Sequence, residues 1–207
     1  MFTTYNQFDK RFNLYDNRTA CPLFSLITAH NFMKNGNISQ AQHEENINSA
    51  VEICLKQDIP KYMSFNELIA YTNGVYNFND IMATSPELIK ENIIGYETIF
   101  TNKNRHCVIF LKNRNFITVL FDNNKYSLRD CHENNQYDFS SLEELKNHLN
   151  EKYQFDKLTI VDGVLIEEFS NIEFIIINQP FQITNLICED NDCTYDEILA
   201  MQLQYED

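Results

Sequence analysis

The sequence lacks a long apolar run, a pair of cysteines at CxxC spacing and an excess of basic residues. Its longest apolar runs, Cys107 to Leu111 and Phe174 to Ile177, fall well below the ~20 residues of a membrane-spanning helix, so we expect no segment of that kind. The six cysteines have no CxxC spacing, which argues against a cysteine-rich zinc site. The net charge of −14 would repel nucleic-acid phosphates, and it favours a partner with a basic surface.

A secretory signal is also missing, because residues 1–6 contain neither a basic n-region nor an apolar h-region. We therefore expect a cytoplasmic protein whose thiols stay reduced. Internal repeats and long flexible linkers are absent too. With 207 residues and a 43% hydrophobic share, the chain can bury one core. We expect one domain over residues 1–188, a helix in the acidic segment 189–207, and a monomer that needs neither cofactor nor metal.

The first half of the chain has helical patterns. Apolar residues predict one helix over Pro22 to Met33 and another over Ser39 to Gln57. Ser64 and Glu67 have the spacing of a capping box that opens a third helix. Ser85-Pro86 is typical of the start of a fourth, because proline suits the first helical turn.

The second half changes to strand patterns. Apolar, β-rich runs predict strands over His106 to Leu111, Phe116 to Phe121, Lys125 to Asp130, Leu158 to Ile166 and Ile172 to Asn178. Asparagine-rich turns at residues 112–115 and 122–124 join the first three, and a Ser140-Ser141 cap opens a helix to about Tyr153. Helices followed by an antiparallel meander predict an α+β domain.

Cys21 is the candidate nucleophile. Pro22 follows it and favours the first helical turn, so the thiol is expected at a helix N-terminus. Free backbone N–H groups and the helix dipole favour a thiolate there. A lone cysteine in this position is equally typical of a small buried hydrophobe, so the hypothesis depends on partners elsewhere in the chain.

Those partners are Asp130, His132 and Gln7. Asp130 and His132 are expected on one face of a strand end, roughly 7 Å apart at Cα, with Cys131 on the opposite face. The carboxylate would hold one imidazole nitrogen while the other faces the thiol. The Gln7 side-chain amide, upstream of the nucleophile, would donate to a tetrahedral oxyanion. These are the parts of a cysteine protease.

The same segments resemble those of the herpesviral large-tegument-protein deubiquitinases and their cellular and bacterial relatives. The matching residues are Asn6-Gln7, Asp9, Arg11-Phe12, Cys21 and Asp130-Cys131-His132. The resemblance implies a papain-like fold with N-terminal helices packed on an antiparallel sheet, and ubiquitin and polyubiquitin chains as partners. It implies Gln7 as oxyanion residue, Cys21 as nucleophile, His132 as base and Asp130 as its orienter. The sequence departs from that family at Ala20, where glycine is frequent, and at Cys131, where serine is frequent.

A second resemblance concerns the base. Cys21-Pro22-Leu23 is similar to the MINDY deubiquitinases, and that likeness implies His106, at the start of a strand, as the base. We favour His132 because Asp130 supplies its partner locally. His30 is interpreted as a packed or capping residue, and His43 and His148, among polar helix residues, as solvated.

The C-terminal segment resembles a ubiquitin-interacting helix of the inverted type. The matching residues are Asp196, Glu197, Leu199, Ala200, Leu203 and Gln204. A small alanine lets such a helix lie flat on an apolar patch while carboxylates meet its basic rim. An amphipathic terminal helix packed on its own domain is the alternative interpretation. Together the two resemblances predict a deubiquitinase. The alternatives are a protease for a ubiquitin-like modifier, an inactive ubiquitin-binding adaptor, and an amidase or acyltransferase on the same fold.

Overall fold

The fold comes from a computed structural model that describes residues 1–12, 19–57, 59, 63–73, 82–84, 100, 104–157, 160–161, 164–165 and 172–183. Its strands are β1 (Phe2–Thr3), β2 (Thr72–Asn73), β3 (Met82–Thr84), β4 (His106–Lys112), β5 (Asn115–Asp122), β6 (Lys125–Arg129), β7 (Asn135–Phe139), β8 (Ile160–Val161), β9 (Val164–Leu165), β10 (Ile172–Ile177) and β11 (Gln182–Ile183). Its α-helices are α1 (Cys21–Asn35), α2 (Gln40–Lys56), α3 (Phe65–Ile69) and α4 (Leu142–Tyr153). The α+β class predicted from the sequence is confirmed.

The ends of three helices are capped by specific residues. The Ser39 hydroxyl accepts from the Gln42 N–H and so opens α2. Ser64 and Glu67 form a complete capping box at α3. α1 ends at Gly36, whose φ of 78° is the left-handed conformation that glycine adopts without penalty. The helix expected at Ser85-Pro86 lies outside the described residues.

A seven-stranded antiparallel sheet has the order β1-β7-β6-β5-β4-β10-β3. The β4–β5 and β5–β6 hairpins turn through Asn113-Arg114 and Asn123-Asn124, each pair with φ values of 51° and 62°. Two successive positive φ values are those of a type I′ turn, which matches the twist of the flanking strands. The asparagine-rich turns predicted from the sequence are therefore confirmed.

Other strand predictions are corrected. Leu158 to Ile166 was expected as one strand, but β8 and β9 lie within it and pair with each other as a separate hairpin. The short strands β1 and β7 were not predicted at all. β1 pairs with β7 through Phe2↔Gln136 and Thr3↔Asn135, and this pairing brings the N-terminal segment to the edge of the sheet.

Helices cover both faces of the sheet. α1 and α2 bury one face, together with Cys107, Ile109, Leu120 and Ile175 of the sheet. α4 covers the other face through Leu145 and Leu149, which pack with alternate residues of the same strands. The prediction of N-terminal helices on the sheet thus describes one layer, and α4 adds a second. Of the helices in the described ranges, none has the length and apolar character to cross a membrane.

The acidic segment 189–207 lies outside the described residues. The six residues predicted to bind ubiquitin belong to it, and they are Asp196, Glu197, Leu199, Ala200, Leu203 and Gln204. Their role stays a prediction.

Candidate active site

Cys21 is the first residue of α1, as the sequence predicts. Pro22 occupies the first turn, and the preceding Ala20 offers no capping side chain. The Cys21 N–H instead donates to Thr19 Oγ1 over 3.4 Å. The thiol side chain is buried, with the residue only 1% exposed, against the sheet face that α1 covers.

Asp130 and His132 lie in a turn, which corrects the prediction that they share a strand face. β6 ends at Arg129. The Asp130 carboxylate then folds back, and its Oδ1 accepts from the His132 backbone N–H at 2.9 Å and from the His132 ring Nδ1 at 2.8 Å. Because a carboxylate only accepts, Nδ1 carries the proton and Nε2 is left to face the thiol.

The His132 imidazole lies close enough to the Cys21 side chain for the two groups to interact, and this interaction contributes to the raised pKa of His132. Burial disfavours its charged form, but donation to the Asp130 carboxylate and interaction with Cys21 outweigh burial and raise the pKa of His132 to about 10. The side chain keeps 20% of its surface exposed. The arrangement is therefore a thiol, an imidazole that readily holds a proton, and a carboxylate that orients it.

Asp130 is held ionised although it is buried. Burial alone would raise the pKa of this carboxyl, whereas hydrogen bonds from His132 and Tyr153 keep the pKa below its usual value. The Tyr153 hydroxyl, at the end of α4, donates to Oδ2 over 2.8 Å. Within the described part of the chain, the donors to this carboxylate come from one turn and one helix end.

Gln136 fixes the turn that carries Asp130. Its side chain is fully buried, and its Nε2 donates to the Asp130 carbonyl at 2.8 Å and to the Glu133 carbonyl at 3.0 Å. Its Oε1 accepts from the Asp130 N–H at 3.0 Å. These bonds replace the ladder that a strand would have supplied.

Gln7 is brought to the same place. Its backbone N–H donates to the Cys131 carbonyl over 2.8 Å. Its side chain is fully buried, and Oε1 accepts from the Ala20 N–H at 2.7 Å, directly before Cys21. The structure therefore gathers Gln7, Cys21 and the Asp130–His132 pair, the four residues that the sequence singles out, from three separate segments.

Three further residues of the site were not found from the sequence: Thr19, Gln136 and Tyr153. Thr19 is two residues before Cys21, where a hydroxyl can accept from the N–H at the helix start, so capping chemistry is a usable signal. The other two reach Asp130 across the fold, and no local spacing indicates them. Phe8 also borders the site, because its ring is 57% exposed and lies 5.7 Å from the His132 ring.

Cys131 does not point away from its neighbours as expected, because strand alternation does not apply in a turn. Its sulfur lies within 4.8 Å of a carboxylate oxygen of Asp130 and a ring nitrogen of His132. These three atoms could hold a metal ion, although Asp130 and His132 are already bonded to each other. Burial raises the pKa of the Cys131 thiol and so favours its protonated form.

The other histidines take no part in this cluster. His106 lies between Phe100 and Phe121 on the sheet face opposite α1, so the structure does not bring this alternative base to Cys21. His30 packs against Phe181, as interpreted from the sequence.

His43 and His148 are not solvated. His43 is buried against Phe24, and burial lowers its pKa to about 3, so it is neutral. His148 is half-buried against Tyr137. In α2 and α4 the two histidines face aromatic side chains of other elements, although their neighbours in the sequence are polar. The local sequence therefore does not reveal their burial.

Comparison with known proteins identifies a structure with a similar fold but no matching family. No protein-family model matches the sequence, and no curated protein matches it either. Among solved structures, the chain is similar to the ubiquitin-specific protease encoded by a murine cytomegalovirus tegument protein, solved in complex with a ubiquitin-based suicide substrate. The TM-score is 0.54 at 11% identity, over 100% of this chain and 95% of the other. The chain therefore shares the overall fold of that viral protease chain.

Proposed function

We propose that this chain is a papain-like cysteine protease that hydrolyses the bond after the C-terminal glycine of ubiquitin. One observation carries the proposal. The Cys21 thiol, at the start of a helix, lies beside an imidazole whose Nδ1 is held at 2.8 Å by a buried carboxylate. Thiol-dependent acyl transfer requires a nucleophile, a base beside it and a group that orients the base. Cys21, His132 and Asp130 can fill these three roles.

The chemistry follows from the contacts. His132 takes the thiol proton, and the Cys21 thiolate attacks the carbonyl carbon of the terminal glycine. The carbonyl oxygen becomes an oxyanion, which accepts from Gln7 Nε2 and the Cys21 N–H. His132 then returns the proton to the leaving lysine amine, and a thioester remains on Cys21. Water, deprotonated by His132, hydrolyses the thioester and restores the thiol.

Two observations support ubiquitin as the substrate. The solved protease that shares the fold holds a ubiquitin-based substrate. The net charge of −14 suits the basic face and the arginine-bearing tail of ubiquitin. A protease for a ubiquitin-like modifier and an inactive ubiquitin-binding adaptor are the alternatives that the first experiment separates.

The experiment treats the pure protein with ubiquitin bearing a C-terminal alkyne, beside Cys21→Ala and the control Cys107→Ala, which removes a buried thiol outside the site. We expect an adduct in the wild type and in Cys107→Ala, and none in Cys21→Ala. If the folded wild type forms no adduct with ubiquitin but does so with another modifier, the substrate assignment is wrong. If it reacts with neither, the protein is not a protease of this class.

We further propose that residues 189–207 bind a second ubiquitin through Leu199, Ala200 and Leu203. A short helix of this kind is marginal alone and orders on binding. Ala200→Trp should reduce cleavage of ubiquitin chains and leave cleavage of a small ubiquitin–fluorophore reporter unchanged. Equal loss on both substrates, or no loss on chains, would contradict the proposal.

A further inference from the structure

Thr19 supplies one oxygen that two donors of the site share. Gln7 Nε2 donates to Thr19 Oγ1 over 3.2 Å, and the Cys21 N–H donates to the same atom over 3.4 Å. These two donors are the groups that the proposed mechanism assigns to the oxyanion. A side-chain oxygen of the protein therefore already lies where they converge.

The orientation of the Gln7 amide is fixed independently of Thr19. Its oxygen accepts from the Ala20 N–H at 2.7 Å, and a backbone N–H can face only the oxygen end of an amide. Nε2 is thereby directed at Thr19. The Gln7 backbone is held as well, by its bond to the Cys131 carbonyl at 2.8 Å. Neither anchor involves the threonine hydroxyl.

We propose that the Thr19 hydroxyl occupies the oxyanion site of the free protein and rotates out when a substrate carbonyl enters. This inference rests on the proposed function. Donors aimed at an oxyanion lie about 2.7–3.1 Å from it, and the two bonds to the neutral hydroxyl are longer. A developing negative charge accepts more strongly than a hydroxyl does, so the exchange becomes favourable as the thiolate attacks.

The exchange requires little else to move. Thr19 is half-buried, and rotation about its Cα–Cβ bond carries Oγ1 to another staggered position. Its remaining bond, to Gln7 Oε1, is long at 3.4 Å. Gln7 and the start of α1 keep their backbone contacts throughout. The occupied site thus lowers the reactivity of the free protein towards carbonyls without altering the thiol.

The test compares wild type, Thr19→Ala and Thr19→Val by the inhibition constant of acetyl-glycyl-glycinal. The thiolate adds to the aldehyde carbon, and the carbonyl oxygen takes the negative charge into the oxyanion site. Thr19→Ala vacates the site and should bind about fivefold tighter, the worth of a typical hydrogen bond. Thr19→Val places a methyl group there, which cannot accept, and should bind more weakly than wild type.

Two controls make the result specific. Alkylation of Cys21 by iodoacetamide displaces iodide and forms no oxyanion, so its rate measures the reactivity of the thiol alone and corrects the comparison of the three proteins for any change in it. In a Gln7→Ala background, where only the Cys21 N–H remains as a donor, Thr19→Ala should bring a smaller gain than in the wild-type background. If Thr19→Ala binds the aldehyde equally or more weakly with unchanged alkylation, Thr19 positions Gln7 and does not occupy the site.

The aldehyde contains no ubiquitin, so this test proceeds even if ubiquitin is not the substrate. If the protein fails to cleave ubiquitin but the three proteins show the expected order of inhibition constants, only the assignment of ubiquitin as the substrate is wrong. If iodoacetamide labels Cys21 but no protein forms the aldehyde adduct, the oxyanion site and the role of Thr19 are both wrong.

Discussion

Tyr153 donates a hydrogen bond of 2.8 Å to the oxygen of Asp130 that does not hold the His132 ring. The carboxylate is buried, and the tyrosine hydroxyl lies 23 residues away along the chain at the end of α4. The helix that covers the far face of the sheet thus contributes directly to the charge state of the candidate site.

Tyr153→Phe should therefore destabilise the protein, because Oδ2 of a buried carboxylate loses its donor. We expect a loss of about 1–3 kcal/mol in the free energy of unfolding at pH 7. The pKa of Asp130 should also rise. Since a lowered carboxyl pKa gives stability that is lost as pH falls through it, acid unfolding should begin at higher pH. Urea titrations at several pH values measure both effects, and Tyr137→Phe, a neighbouring ring on β7, should change neither.

The raised pKa of His132 predicts a loss of folding stability on the alkaline side of the pH profile. Its value is raised from 6.5 to about 10, so the group contributes stability fully below about pH 6.5, and this is lost as pH rises towards 10. Wild type should weaken across that window in urea unfolding. His132→Gln should start less stable at pH 6 and show a flatter profile. Parallel profiles for the two proteins would mean that the imidazolium is not stabilised by Asp130.

Gln136 should be essential to the turn. Gln136→Ala leaves the buried Asp130 N–H without its partner and removes one donor each from the Asp130 carbonyl, which keeps the Glu133 N–H, and from the part-buried Glu133 carbonyl. It should cost about 2–3 kcal/mol of unfolding free energy. Gln40→Ala on the exposed surface of α2 is the matched control and should stay within about 0.5 kcal/mol of wild type. Thermal unfolding measures both. A small effect of Gln136→Ala would show that β7 and the N-terminal segment hold the turn by themselves.

A stabilising change is expected at the end of α4. Gln154 adopts φ of 55° and ψ of 40°, the left-handed region that favours glycine, and its side chain is exposed. Gln154→Gly should raise the free energy of unfolding by about 0.5–1 kcal/mol. Glu151→Gly, in the same helix with ordinary helical geometry, should lower it by about 1 kcal/mol. If both variants change the free energy of unfolding in the same direction, the left-handed backbone at Gln154 does not explain the effect.

Features of the fold that depend on residues close together in the sequence could be predicted correctly. The Ser64–Glu67 capping box and the Asn123-Asn124 turn depend on residues within one or two turns of chain, and both were predicted correctly. The helix start at Cys21 belongs to the same class, because Pro22 sets it. The four candidate site residues could be named for the same reason, since each lies in a short motif.

Longer-range contacts account for what was missed. Asp130 was expected on a strand because nothing between residues 125 and 132 shows where the ladder ends. Gln136 ends it by taking over the hydrogen bonds of Asp130. β1 and β7 are short and lack a clear apolar pattern, and their pairing with neighbouring strands makes them part of the sheet. Burial of His43 similarly depends on aromatic neighbours brought from β1 and α1.

The two-residue strand β1 has a consequence for how the site tolerates change. Phe2 pairs with Gln136, the residue that clamps the Asp130 turn, and Gln7 follows a few residues later with its amide on Ala20. A slip of one residue would shift this segment by about 3.3 Å and reverse the direction of its side chains. Insertion or deletion of a single amino acid between Thr3 and Gln7 would therefore separate the amide from the thiol, while leaving every residue of the candidate triad unchanged.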